Sequence, residues 1–301
     1  MLKNGRIPGP IPAPEVTEAE KKMKLYKYYT RPFRNIGPLY SMAVDYGPMD
    51  EHFALPTRNL GAHLLPPGEY ESVLLGYCKH PEGGAFIRHY QMYPGASYDM
   101  LKWYYTWINI PFKTQPAGCG NMKYKIWCPI NHFTHAFING RDRTDGVMTQ
   151  ESHNLDMYEG TPLATEFVSV RYPLDLTQFG MTRQQLDELK DAGCWIDPAV
   201  IKYFDPKDYW EKGILTPSIG SNIMVTISRP APFGVEKIAC EWVGWTVEDG
   251  KVVRDLNTPE WRLGYDWLEM KLNHATAEAQ HLAEMLPELY AEYSGKPMDE
   301  E

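Results

Sequence analysis

Residues 272–278 read Leu272, Asn273, His274, Ala275, Thr276, Ala277, Glu278, inside a C-terminal stretch, roughly 259–293, with the pattern of one long helix. Its apolar positions Trp267, Met270, Leu282, Met285 and Leu289 recur at the spacing of a buried helical face, apart from one gap. His274 and Glu278 fill that gap, one turn apart on the same face. Burying an imidazole and a carboxylate without partners costs several kcal/mol, so a buried stripe carrying them needs something to offset the cost. A divalent metal is one such partner, because His and Glu at i and i+4 can grip a single ion. An exposed ion pair on a solvated flank fits the same spacing, and the helix alone leaves both readings open.

Outward from that helix, the chain is that of a soluble globular protein. Its 301 residues are enough for a large core, in one domain or two, with 43% hydrophobic and 23% charged residues. The net charge of −9 and the lack of a basic cluster argue against nucleic acid as a partner. Twenty tyrosines and nine tryptophans suit a pocket for a flat ligand as well as plain packing. Cys78, Cys119, Cys128, Cys194 and Cys240 are odd in number and irregular in spacing. They read as free thiols of a reducing compartment, and we expect a cytoplasmic protein without a signal peptide or membrane span.

Residues 4–14 form a proline-rich arm, and prolines at 32, 38, 48 and 56 interrupt the segment after it, so residues 1–68 read as an arm and a small N-terminal cap. From residue 69 on, strands are expected at 70–76, 85–92, 123–127, 166–172, 223–229 and 235–245. Ser97 caps one helix, Thr182 starts a second that ends at Gly193, and Glu248, Asp249 and Gly250 make a hairpin turn. Antiparallel strands followed by one long helix predict an α+β fold, a curved sheet around the helix with a cavity between them. His274 and Glu278 then face that cavity.

A catalytic metal needs three or four protein ligands. Candidates are His132 and His135, then Glu151, His153, Glu159 and Glu166, with His281 one turn beyond Glu278. Here two blocks of sequence carry a resemblance. YKIWCPINH at 124–132, together with the ending His274-xxx-Glu278-xx-His281-Leu-Ala-Glu-Met-Leu-Pro287-Glu-Leu-Tyr290, resembles the family of 2,4-diacetylphloroglucinol and phloretin hydrolases. The resemblance runs over about residues 70–293 in order of elements. It implies a helix-grip (Bet v 1-like) domain at 69–301 behind a small dimerisation domain, a phenolic ketone as the small-molecule partner, and a homodimer as the assembly. It further implies a zinc ion held by two histidines and two glutamates: His132, His274, Glu278, and a glutamate before the strand ending at Tyr172. Glu159 fits that last place best, with Glu151 and Glu166 still open, and another divalent metal remains an alternative to zinc.

By the same resemblance Tyr124 contacts substrate, and His135 stands where the family carries asparagine. Trp242 takes the place of a substrate-side aromatic. The family's histidine before the hairpin is missing, since the chain reads Thr226, Ile227, Ser228 there, and the loop at 112–122 is longer. The implied chemistry is hydrolysis of the carbon–carbon bond between a phloroglucinol ring and its acyl group. The hydroxylated ring tautomerises to a ketone, water acidified by the ion attacks the acyl carbonyl, and Tyr124 and His135 assist the departing enolate. Two other readings compete: a carrier of a hydrophobic phenolic ligand, and a structural oligomer in which His and Glu form an internal ion pair.

Overall fold

The computed structural model describes residues 16–33, 37–63, 74–117, 119–130, 132–137, 152–161, 164–204 and 219–301; the side chains of residues 39, 62, 134, 136–137 and 152–168 lie outside the description. The proline-rich arm and the expected boundary at 68 fall outside it as well.

Ten strands are described: β1 (Gly76–Lys79), β2 (Ala85–Pro94), β3 (His132–Phe137), β4 (Ser152–Thr161), β5 (Ala164–Pro173), β6 (Trp195–Phe204), β7 (Ser221–Ala231), β8 (Gly234–Val243), β9 (Trp245–Glu248) and β10 (Lys251–Arg254). The first eight form one sheet in the order β1-β2-β8-β7-β6-β5-β4-β3, every neighbour antiparallel. β9 and β10 make a separate hairpin. Asp249 and Gly250 turn it with φ of 48° and 73°, the left-handed backbone that a two-residue turn between twisted strands requires.

The helices are α1 (Tyr26–Tyr29), α2 (Pro38–Asp45), α3 (Tyr98–Trp107), α4 (Met122–Lys125), α5 (Arg183–Asp191), α6 (Glu260–Leu263) and α7 (Tyr265–Tyr293). Ser97 caps α3 by accepting from the Met100 amide, and Thr182 and Gln185 close a capping box on α5. The terminal stretch expected as one helix is divided at Gly264, whose ψ of 149° ends α6 and starts α7; α7 then runs through Pro287. Residues 123–127, expected as a strand, instead begin as the short helix α4. Asn121 decides this: its side chain accepts from the Lys123 amide and donates to the carbonyls of Ile108 and His135, fixing a turn where alternation alone suggests extension. The strand expected at 70–76 is seen only from Gly76 onward, its earlier part lying mostly outside the described residues.

Period-two alternation gives the sheet two apolar faces. On one, Phe86, Ile196, Ile223, Val225, Cys240 and Trp242 lie under Leu55, Leu60, Leu176, Phe179 and Met181. The opposite face receives α7, which packs against β1 and β2. The first half of that helix, Trp267, Leu268 and Leu272, joins Tyr77, Ile87, Ile201 and Val243. Its second half, from Ala279 to Tyr293, joins the aromatics of α3 and α4 and also Met23, Leu25 and Tyr28 near the N-terminus. Between these two clusters fall His274 and Glu278. A buried ion pair of Lys125 with Glu20, 2.8 Å apart and both side chains fully inaccessible, ties the N-terminal segment to α4. No described helix is long and apolar enough to cross a membrane, and all five cysteines are free thiols.

Candidate metal centre and adjoining cavity

The polar break in α7 opens on a cavity between helix and sheet. Lys271, His274, Ala275 and Glu278 line it from the helix, His89, Ser169, Arg171, Asp197, Thr226, Lys237 and Glu241 from the strands, and Tyr105, Tyr124 and His135 from the α3–β3 side. Its water-accessible space is about 150 Å³, against roughly 10–15 Å³ for a single water by the same measure.

At one end of it, three side chains converge. His132 Nε2 and His274 Nε2 each lie 3.0 Å from Glu278 Oε2. Both histidines are buried, at 1% and 5% exposure. His132 is aimed by the turn that follows α4: its amide donates to the Cys128 carbonyl at 3.0 Å, and its Nδ1 lies 3.3 Å from the Tyr124 carbonyl. A carbonyl accepts only, so Nδ1 is the donor there; Nε2, which faces Glu278, is the nitrogen that would offer its lone pair to a bound cation. Trp127 Nε1 donates to the Glu278 carbonyl at 3.1 Å and holds this turn of α7 against α4. Burial by itself would push the Glu278 carboxyl up, but the His274 charge and hydrogen bonds from His132 and His274 outweigh it and hold the group well below the usual carboxylate range.

The donor set suits a divalent cation. Two imidazole nitrogens and a carboxylate oxygen converge in a buried site, with donor separations of 3.0 Å. Ligands bound at about 2.0–2.2 Å in a tetrahedron stand about 3.3–3.5 Å apart, so small adjustments admit an ion. Cys128 belongs to the same group, all four ligand atoms lying within 4.8 Å of one another. Its Sγ is 4.0 Å from His274 Nδ1, the nitrogen turned away from Glu278. The thiol therefore sits behind His274. By sequence alone it is one free thiol among five; its position four residues before His132, across a proline turn, is the signal that marks it out.

Tyr124 stacks flat on His132, with ring centroids 3.8 Å apart and planes 4° apart. His135 lies beside it at 4.9 Å between centroids. The His135 ring is set by Asn109: Asn109 Nδ2 donates to the Tyr105 carbonyl at 2.7 Å, leaving Oδ1 to accept from His135 Nδ1, also at 2.7 Å. His135 thus holds its proton on Nδ1. Of the candidate site residues, the structure brings together His132, His274, Glu278, Tyr124 and His135.

Trp242 lies elsewhere, and its expected place beside the substrate is corrected. Strand alternation puts Glu241 on the cavity side and Trp242 on the opposite face, packed on Phe86 and Phe179 and donating Nε1 to the Leu55 carbonyl at 2.8 Å. The side chains of Glu159 and Glu166, and Glu151 altogether, lie outside the described residues. His281 is buried one turn past Glu278 but packs on Phe33, away from the cavity. His89, not singled out by the sequence, lines the sheet wall. Burial and the nearby Lys237 hold it down to about 3, so it is a neutral imidazole at ordinary pH.

The chain is 24% identical over 296 residues to a 2,4-diacetylphloroglucinol hydrolase of Pseudomonas sp, covering 92% of this chain and 90% of that protein. The counterpart from Pseudomonas protegens is equally similar, with 87% of its length covered. A phloretin hydrolase of Eubacterium ramulus is 24% identical over 288 residues, covering 92% and 93%. Residues 59–291, which contain α4, β3 and the polar turn of α7, match the model of the DAPG hydrolase PhiG domain, and the chain belongs to that family.

Proposed function

We propose that this protein is a metal-dependent hydrolase that cleaves the carbon–carbon bond between a phloroglucinol-type ring and its acyl group. The observation that carries the reading is the meeting of His132, His274 and Glu278 at one end of a cavity flanked by Tyr124 and His135, in a chain whose relatives are named for acylphloroglucinol substrates. Glu159 completes the ligand set in this reading, as the resemblance implies; it belongs to β4, in the stretch between Met157 and Thr161 where the register with β5 shifts. The sheet with α7 across it is read as a helix-grip fold, and zinc as the ion favoured by mixed nitrogen and oxygen ligands. When bound, such an ion supplies Lewis acidity for the acyl carbonyl and lowers the pKa of water.

The chain's own groups account for the rest. A ring with meta hydroxyls reaches a keto tautomer, in which its bond to the acyl carbon resembles that of a β-diketone. His135, with Nδ1–H committed to Asn109, has Nε2 as an acceptor for a ring hydroxyl proton during that tautomerisation. Tyr124, a cavity neighbour of His135, bounds the same end and orients the acyl group. Lys237 places a cation at the wall, where negative charge on ring oxygens is stabilised as the bond breaks.

The test is metal content by elemental analysis, with phloretin and acetylphloroglucinol turnover, on wild type and on His274→Ala with Glu278→Ala. About one metal per chain, lost together with turnover in the double variant, is the expected result. A folded wild type that neither holds a metal nor gains activity with added zinc would overturn the hydrolase and favour a ligand carrier.

A further inference from the structure

His89 is a buried histidine that the proposed reaction leaves unused. It is 5% exposed, yet its ring lines the cavity, and its Nε2 has no hydrogen-bond partner among the described residues. Structural histidines in this protein look different. His80, equally buried, is satisfied at both nitrogens, with Nε2 2.9 Å from the Leu55 carbonyl and Nδ1 accepting from the Glu82 amide at 3.1 Å. His281 also has an unpartnered Nε2, but it lines no part of the cavity.

The sheet register gives His89 its neighbours. It pairs with Ala239 on β8, Ala239 with Thr226 on β7, and Thr226 with Asp197 on β6, and all four line the cavity in one row across the strands. Lys237, two residues from Ala239, is on the same face and diagonal to His89, and its Nζ donates to the Tyr105 hydroxyl at 2.6 Å. A buried N–H without an acceptor is costlier than a bare ring nitrogen, so the proton of the neutral ring belongs on Nδ1. Neighbouring strands stand about 4.7–4.9 Å apart, which is about the separation of meta oxygens on a six-membered aromatic ring. Thr226 and Asp197, the polar side chains on adjacent strands of this row, therefore match two oxygens of a 1,3-oxygenated ring, and His89 stands on the same wall two strands from Thr226.

We infer that His89 is a substrate-contacting residue, donating a hydrogen bond to a ring oxygen of a meta-hydroxylated ligand whose acyl end lies at Glu278. With Lys237 it forms the ring-recognition wall of the cavity. The inference rests on the proposed hydrolase function, which names the ligand class.

The experiment compares phloroglucinol and phenol as binding probes by calorimetry, on wild type, His89→Phe and His89→Asn, with metal content, melting temperature and KM and kcat for an acylphloroglucinol read on the same samples. His89→Phe is expected to weaken phloroglucinol about tenfold and raise KM by a similar factor, with phenol changed less than twofold and metal content unchanged. His89→Asn, which keeps a donor near the Nδ1 position, should recover most of the loss. Unchanged phloroglucinol affinity and KM in His89→Phe would overturn the assignment, as would an equal loss for both probes, which is the signature of packing. A wild type that turns over no acylphloroglucinol and binds no phloroglucinol would overturn the hydrolase reading itself, an outcome separate from failure of the His89 variants.

Discussion

Tyr124 lies flat against His132, with 3.8 Å between ring centroids and 4° between planes, while the Tyr124 carbonyl lies 3.3 Å from the same histidine's Nδ1. One residue thus fixes both the plane and the tautomer of a candidate ligand. The two contacts separate by mutation, because the carbonyl survives any substitution and the ring does not. Tyr124→Phe keeps the stack and should leave metal affinity within about twofold of wild type, while lowering kcat through loss of the hydroxyl. Tyr124→Ala should weaken metal binding about three- to tenfold, the worth of an aromatic contact of about 0.5–1.5 kcal/mol. Competition with a chromophoric chelator measures both.

Asn109 does for His135 what the Tyr124 carbonyl does for His132. Its Oδ1 takes the Nδ1 proton because its Nδ2 is committed to the Tyr105 carbonyl. Asn109→Leu, close in shape, removes the acceptor and frees the imidazole to turn or change tautomer. We expect kcat to fall about 10–100-fold with metal content unchanged. Asn109→Asp puts a carboxylate at the same place, favours the imidazolium, and should move the acid limb of the pH–rate profile upward. A profile that keeps its midpoint in Asn109→Asp would remove His135 from the proton path.

The part of the site on α7 is legible in the sequence because a helical period of 3.6 makes an intruding His274 and Glu278 visible against a run of apolar residues. Strand signals are weaker. The run Tyr124, Lys125, Ile126, Trp127 alternates as a strand does, and only the contacts of Asn121 with Ile108 and His135, distant in sequence, turn it into α4. β6 is hidden in the sequence because Pro198 reads against a central strand. In the sheet, Pro198 sits just beyond the last β5 pair, Pro173 with Ala199, where its missing N–H leaves no gap in that ladder. His89 is illegible for a different reason: nothing local separates it from other buried residues, and its meaning comes from the wall of the cavity it lines.

Trp242 tests the same point by experiment. A one-residue difference in a strand exchanges its faces, and here it sends Glu241 to the cavity and Trp242 to the packed side. Trp242→Phe should therefore leave KM and kcat near wild type. It should cost about 1–3 kcal/mol of stability, from the lost volume and from the Leu55 carbonyl left without its donor. A tenfold rise in KM with stability unchanged would return Trp242 to the substrate pocket.

His281 predicts an acid-sensitive step in folding. Burial first, and then the charge of Arg31, push its imidazole down to about 4, against an ordinary value near 6.5. Above about pH 6.5 the group is neutral in both folded and unfolded chains and has no effect on the balance. As pH falls through 6.5, the unfolded chain takes up a proton that the folded one refuses until about pH 4, so stability is lost across that window. The full loss from this one group is about 3 kcal/mol. His281→Leu should flatten that part of the curve by about one proton's slope, read as urea midpoints between pH 4 and 7, while the slope above pH 7 stays as in wild type. An unaltered acid slope in His281→Leu would mean that the ring is protonated in the folded protein, with its buried Nε2 supplied by an acceptor.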